Sequence, residues 1–117
     1  MITFKENKNI YIYSEPIDMR MGIKKIQLLV AVNFTKMEIR HSVFAFCSNK
    51  GDQIKLYYED DYGAWLLQNR LFDKRFKWPK GLEVGETITT KQLEGLCKGL
   101  EVVESRRKIK NENVDYY

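Results

Sequence analysis

Residues 43–59 read VFAFCSNKGDQIKLYYE, and this stretch decides the fold. Val43 to Cys47 is a short apolar run, rich in residue types that favour β-strands. Ser48 to Asp52 follows with residue types that tolerate turn geometry. From Gln53 to Glu59 the side chains alternate with the period of a strand. A strand, a glycine-containing turn and a second strand together predict a β-hairpin.

Neighbouring segments extend this hairpin in both directions. Ile10 to Tyr13 alternates Ile and Tyr, which is typical of a short strand. Asp60 to Gly63 predicts a second turn, and Ala64 to Leu71 predicts a further strand. We expect Arg75 to Trp78 to be the last strand, because the proline after it cannot donate to a ladder. Short connections favour antiparallel neighbours, so the prediction is one antiparallel sheet of about four or five strands.

The first of two helices is indicated by a change of period after Asp18. Ile23, Ile26 and Val30 recur at helical spacing, so they predict a helix with one apolar face. The Asp18 carboxylate is predicted to cap this helix by accepting a backbone N–H of its first turn.

The second helix is indicated close to the C-terminus. Thr89 and Gln92 match a capping box. The apolar side chains that follow lie on one helix face, and Gly99 is expected to end the helix. We therefore predict an α+β fold with two helices, in a single domain over residues 1–104. A polar, flexible tail is predicted over residues 105–117.

Length and composition exclude several classes of protein. With 117 residues, 44% of them hydrophobic, the chain is long enough for one domain with a real core. The longest apolar runs, such as Leu28 to Val32, have five residues and are too short to cross a bilayer. The first ten residues do not resemble a secretory signal, and two cysteines make no disulfide framework. We expect a cytoplasmic protein that does not bind membranes.

Residue types that carry catalysis or bind metals are scarce. His41 is the only histidine, and Cys47 and Cys97 are the only cysteines, without the spacing of a zinc site. We therefore expect no enzymatic activity, no cofactor and no bound metal. A metal-dependent nuclease is a weaker hypothesis, because each available aspartate falls at an expected turn or helix cap. These aspartates are Asp18, Asp52, Asp60 and Asp61.

Positive charge is concentrated in one segment of the chain. Residues 70–80 carry five basic residues against Asp73 alone, whereas residues 1–69 have a net charge of +1 and residues 81–117 of −1. In a strand from Arg75, the basic side chains would share one face, with Phe76 and Trp78 on the other. Such a basic face can neutralise nucleic-acid phosphates, although an ordinary solvated surface is the alternative. The predicted phosphate contacts are Arg70, Lys74, Arg75 and Lys77.

Two short motifs and their order carry a resemblance to a known family. Residues 16–22, PIDMRMG, match a P-x-D-M-R-x-G signature, and residues 76–79, FKWP, match an F-x-W-P block. The chain resembles, over about residues 10–100, the TnpB-type accessory proteins of insertion-sequence family sixty-six. These are small second-open-reading-frame products of bacterial transposable elements. The matching signature residues are Pro16, Asp18, Met19, Arg20, Gly22, Trp78 and Pro79.

The resemblance implies a non-catalytic accessory protein of DNA transposition, encoded beside a transposase that performs strand transfer. Together with the basic segment, it predicts binding to DNA, with the ends of the element as one candidate target. Arg20, Lys24 and Lys25 are expected to extend the basic patch. The family hairpin around the turn is usually rich in arginine, and here only Lys50 and Lys55 remain as candidate contacts.

Two interpretations stay open beside DNA binding. The chain is alternatively a protein-interaction module for the transposase or a sister protein, anchored by exposed tyrosines. The candidate anchors are Tyr11, Tyr13, Tyr57 and Tyr62. Asp18 and Arg20 are also expected to form a structural fastener, Asp18 by capping a helix and Arg20 by pairing with a nearby carboxylate, because both residues lie at an element boundary.

Overall fold

The computed structural model describes residues 9–73, 75–79, 86–98 and 107–108. Within these ranges the chain forms six strands and three helices. In chain order they are β1 (Asn9–Ile12), α1 (Ile23–Asn33), α2 (Lys36–Arg40), β2 (Ser42–Cys47), β3 (Gln53–Glu59), β4 (Ala64–Arg70), β5 (Glu86–Ile88), α3 (Thr90–Cys97) and β6 (Arg107–Lys108). The strands make one sheet in the order β4-β3-β2-β1-β5-β6.

The predicted α+β fold class is confirmed, but the sheet is mixed rather than wholly antiparallel. β1 runs parallel to β2, with Ile10 opposite Val43. The chain between these two strands contains α1 and α2, and a connection of that length allows the second strand to run in the same direction as the first. The other strand pairs of the described residues are antiparallel.

Both faces of the sheet carry a packed core. On one face, Ile26 and Val30 of α1 and Ile39 of α2 are buried against the sheet. On the opposite face, α3 supplies Leu93 and Leu96. Because helices cover both faces, all six residues of β2 are buried.

The predicted strand from Arg75 to Trp78 is wrong, since this segment has no regular secondary structure and pairs with no strand of the described residues. Its alternation of side chains is nevertheless present. Phe76 is buried in the core beneath α3, whereas Arg75 and Lys77 are exposed. Burial of one aromatic side chain therefore orients the segment without the hydrogen bonds of a strand.

Three of the described elements, β5, α2 and β6, were not expected from the sequence. β5 pairs with β1 on the side away from β2, so β1 lies inside the sheet. α2 begins with a capping box in which Glu38 N donates to Thr35 Oγ1 (3.2 Å) and Thr35 N donates to Glu38 Oε1 (2.8 Å). The T-x-x-E spacing is readable in the sequence, and it is the signal that could have predicted this helix.

Of the two predicted helix caps, the one at the start of α3 is confirmed and the one at the start of α1 is wrong. The capping box of α3 is present, with Gln92 N donating to Thr89 Oγ1 at 3.0 Å. α1, by contrast, begins after Gly22, and Asp18 does not cap it. Asp18 lies four residues before the N-cap, which is too far for it to cap α1. Its carboxylate instead accepts hydrogen bonds from Arg20. Gly99, the predicted end of α3, lies outside the described residues.

The predicted tail from residue 105 lies outside the described residues except for β6, where Arg107 pairs with Thr87 of β5. The domain boundary at residue 104 stays a prediction. No helix in the described ranges is long and apolar enough to span a membrane.

Candidate nucleic-acid interface

The turn between β2 and β3 forms a closed tip at one end of the sheet. Gly51 adopts φ +78°, a left-handed conformation that favours glycine. Its N–H donates to Ser48 O at 3.0 Å. The Ser48 hydroxyl accepts from Asp52 N (3.2 Å) and Gln53 N (3.1 Å) and donates to Asp52 Oδ1 (3.1 Å). This network fixes the tip and leaves Lys50 exposed on it.

The basic segment folds back onto this hairpin tip. Leu71 N donates to Asp52 O at 3.0 Å, and Phe76 N donates to Gly51 O at 2.6 Å. A Cβ placed on Gly51 would lie 3.6 Å from Arg75 Cβ, so the backbone of the segment passes directly beside the turn. Arg70 ends β4 opposite Gln53, the first residue of β3.

Three predicted contacts therefore share one end of the sheet, and we call this set, Lys50, Arg70 and Arg75, the basic tip. All three residues are exposed. Lys77 is exposed two residues beyond Arg75 in the same segment. Lys74 lies outside the described residues. The structure thus brings residues from two distant parts of the sequence onto one surface that can face a phosphate backbone.

A cleft of about 530 Å³ separates the basic tip from the signature loop, residues 16–22. Ile17 N donates to Cys47 O at 3.0 Å, which holds the loop beside the end of β2. The cleft is open to solvent and is lined by Pro16, Ile17, Asp18, Met19, Ser48, Asn49, Lys50, Asp52, Gln53 and Arg70. Two residues of the basic tip, Lys50 and Arg70, therefore border the same space as Asp18.

Asp18 and Arg20 form an exposed ion pair at the mouth of this cleft. Arg20 donates from Nε to Asp18 Oδ1 (3.0 Å), from NH2 to Oδ2 (2.7 Å), and from its backbone N to Oδ1 (2.9 Å). These bonds, with a further contribution from Lys25, lower the pKa of Asp18 to about 2. The ion pair supplies the carboxylate partner expected for Arg20, whereas the helix cap expected from Asp18 is absent. It also offsets the positive charge of Arg20, whose side chain remains 91% exposed.

The Asp18 carboxyl should titrate near pH 2, and Arg20→Ala should move its midpoint back toward the ordinary aspartate range. Because the folded pKa is depressed, any stabilisation from the pair is present above about pH 4 and is lost as pH falls toward 2. Carboxyl carbon chemical shifts measured by NMR would follow this titration. An unchanged midpoint in the Arg20→Ala protein would contradict the assignment of the shift to Arg20.

Lys55 does not belong to the basic surface. Its side chain is only 5% exposed, and Nζ donates to Met19 O (2.8 Å) and Met21 O (2.9 Å). The ammonium is therefore committed to two carbonyls of the signature loop, and it is buried beneath that loop. We correct the predicted role of Lys55 from a phosphate contact to an internal clamp.

Trp78 has a comparable internal role in the second family motif. Trp78 Nε1 donates to Tyr13 O at 2.9 Å, which ties the segment from Arg75 to Pro79 to the residue after β1. Phe76 in the same motif is buried. Both signatures therefore supply contacts that hold loops against the sheet, and these same loops position the exposed basic side chains.

Lys24 and Lys25 are both exposed in the first turn of α1. Lys25 lies close enough to Asp18 to lower its pKa, but it does not line the cleft. Among the described residues, no contact places Lys24 beside the basic tip. Of the three residues expected to extend the patch, Arg20 and Lys25 therefore lie near Asp18, the cleft residue that both of them influence.

The residue types that could serve catalysis or bind a metal are His41, the two cysteines and the aspartates. His41 is exposed between α2 and β2. Burial raises the pKa of the Cys47 thiol to about 11 and also raises the pKa of Cys97. Asp60 accepts from Tyr62 N and Gly63 N and closes its turn, and Asp61 pairs with Arg40. In the described ranges, no group of three or more His, Cys, Asp or Glu side chains could hold a metal ion.

The chain is thus a small α+β protein with basic residues gathered at one end of a mixed sheet. The family model for the IS66 Orf2 like protein matches residues 8–107, and the chain belongs to that family. It is thus a transposition-associated accessory protein. The family assignment confirms the resemblance drawn from the two motifs.

A relative in Sinorhizobium fredii (strain NBRC 101917 / NGR234), "Uncharacterized protein y4hO", is similar along most of its length. It is 27% identical to this chain over 101 residues, which cover 86% of this chain and 88% of the relative. No solved structure gives a significant match.

Proposed function

We propose that this accessory protein binds DNA of its transposable element through the basic tip, with Lys77 as a further contact. The observation that carries the proposal is the pair of backbone hydrogen bonds, Leu71 to Asp52 and Phe76 to Gly51, that fold the basic segment onto the hairpin. Because of these bonds, the exposed cations Lys50, Arg70, Arg75 and Lys77 can face the same partner. Their guanidinium and ammonium groups suit phosphate oxygens.

Such binding would be directed mainly at the backbone of the nucleic acid. The exposed cations of the basic tip and Lys77 lie on a turn, a strand end and a segment without regular secondary structure, and not on a helix that could enter a groove. Phosphate contacts fix position on a duplex without reading its sequence. Any preference for element ends would therefore come from DNA shape or from a partner protein.

Binding to duplex DNA should weaken steeply as salt rises. With about three or four phosphates neutralised, the slope of log K against log salt should be roughly −3 to −4. Fluorescence anisotropy on labelled element-end duplexes would measure the slope, with scrambled duplexes and single strands of equal length as comparisons. No binding at low salt would remove the proposal, and so would binding that does not respond to salt.

Protein interaction is the second candidate function, and exposed apolar side chains on α1 favour it. Leu28 is 66% exposed and Val32 is 81% exposed, although both are large and hydrophobic. The tyrosine anchors expected for this function need correction, because Tyr11 and Tyr57 are buried and only Tyr62 is fully exposed. Salt separates the two functions, since an apolar contact with the transposase would persist where DNA is released.

A further inference from the structure

The strand β4 lies at the edge of the sheet, and within the described ranges β3 is its one neighbouring strand. In an antiparallel ladder, alternate residues direct their N–H and C=O groups toward the neighbour or away from it. Two hydrogen bonds identify the residues of this ladder whose backbone groups point toward β3. Asp60 N donates to Gly63 O, and Leu71 N donates to Asp52 O. The odd-numbered residues of β4 therefore bond to β3. The outward groups belong to Ala64, Leu66, Gln68 and Arg70.

This edge lacks the features that usually prevent strands from joining. β4 has seven residues, contains no proline or lysine, and keeps one-to-one register with β3 from end to end, without a bulge. Its middle is apolar, with Leu66 and Leu67 half-buried and Trp65 50% exposed. A regular, partly apolar edge with outward hydrogen-bonding groups is suited to the addition of another strand.

We propose that β4 pairs in the antiparallel direction with β4 of a second copy of this chain, about a two-fold axis at Leu67. In this register the outward residues Ala64 and Leu66 of one copy face Arg70 and Gln68 of the other. All four outward residues of each strand then find hydrogen-bonded partners. The two Leu67 residues face each other in a non-hydrogen-bonded pair, where side chains approach closely.

The charges at the two ends of β4 favour a second copy in this direction. Arg70 ends the strand, and the exposed turn that precedes its first residue carries Asp60 and Asp61, of which Asp61 also pairs with Arg40 of its own chain. Antiparallel pairing places Arg70 of each copy near the acidic turn of the other. Parallel pairing would instead place arginine beside arginine. The strand is therefore complementary to itself, and the pairing of two copies does not require that the protein bind DNA.

Gln68→Pro is the decisive variant, because the N–H it removes points away from β3. Proline is tolerated on an edge strand when its missing N–H faces outward. The matched control is Gln68→Ala, which also loses the side-chain bond to Gln53 Oε1 (2.6 Å) but keeps the N–H. Sedimentation velocity over a range of concentrations should show a dimer for the wild type and for Gln68→Ala. The dissociation constant of Gln68→Pro should rise at least tenfold, with its far-ultraviolet circular dichroism retained.

Cysteines introduced one at a time would test the register, even if the proline variant failed to fold. In a Cys97→Ser background, Leu67→Cys should form an intermolecular disulfide under mild oxidation, since facing residues meet disulfide geometry. Asn69→Cys, two residues away on the same face, should remain reduced. A wild type that stays monomeric at every concentration would overturn the proposal. So would cross-linking at position 69 rather than 67, or a dimer that Gln68→Pro leaves intact.

Discussion

Replacing both Arg75 and Lys77 with glutamate should weaken binding to duplex DNA by at least about a hundredfold. Each residue is exposed on the segment that folds onto the hairpin tip, and each would lose a charge-assisted bond to a phosphate. The slope of log K against log salt should also become shallower by about two units. Anisotropy titrations on the same duplex at several salt concentrations would give both numbers.

The control for this variant must change the net charge equally at a different place. Lys36→Glu with Lys91→Glu does so, because both lysines are exposed on helices, at the starts of α2 and α3. The control should shift binding only slightly, and both double variants should unfold at about the wild-type temperature. Equal losses in the two variants would mean that overall charge, and not the basic tip, governs binding.

Replacing Lys55 with methionine should lower the free energy of unfolding by about 2 to 4 kcal/mol. Methionine preserves much of the buried stem but removes the ammonium that Met19 O and Met21 O accept from. Both carbonyls would then lack this donor at a site where the side chain is 5% exposed. Urea denaturation followed by circular dichroism would measure the change.

The matched control is Lys24→Met, an exposed lysine on α1 that should change stability little. Hydrogen exchange gives a second measure, since the signature loop should lose protection in the Lys55 variant before the central strands do. A Lys55→Met protein with wild-type stability and an equally protected loop would show that the clamp contributes nothing.

Short sequence patterns correctly predicted the turns and the helix cap, because contacts between residues close in sequence stabilise these features. The hairpin at Gly51, the turn from Asp60 to Gly63 and the capping box at Thr89 each depend on residues close together in the sequence, and each is present. The Thr35 capping box carries the same kind of signal and was available to the same reasoning.

The remaining features depend on contacts between distant parts of the chain. Lys55 alternates along β3 like a solvent-facing residue, but α1 and the signature loop cover that face and bury it. The parallel pairing of β1 depends on where two helices return the chain, which side-chain periodicity does not encode. The basic tip forms because the segment after β4 bonds to the hairpin. The sequence indicated the charge of that segment and named Lys50 as a contact, but it did not place the two side by side.

The position of β1 has a consequence for the order in which the molecule assembles. β2, β3 and β4 are joined by short turns and form local contacts, whereas β1 must close a long loop through α1 and α2 to reach β2. During synthesis β1 leaves the ribosome first, yet both of its neighbours in the sheet are made later. We therefore expect the three-stranded meander to form first and β1 to dock onto it later.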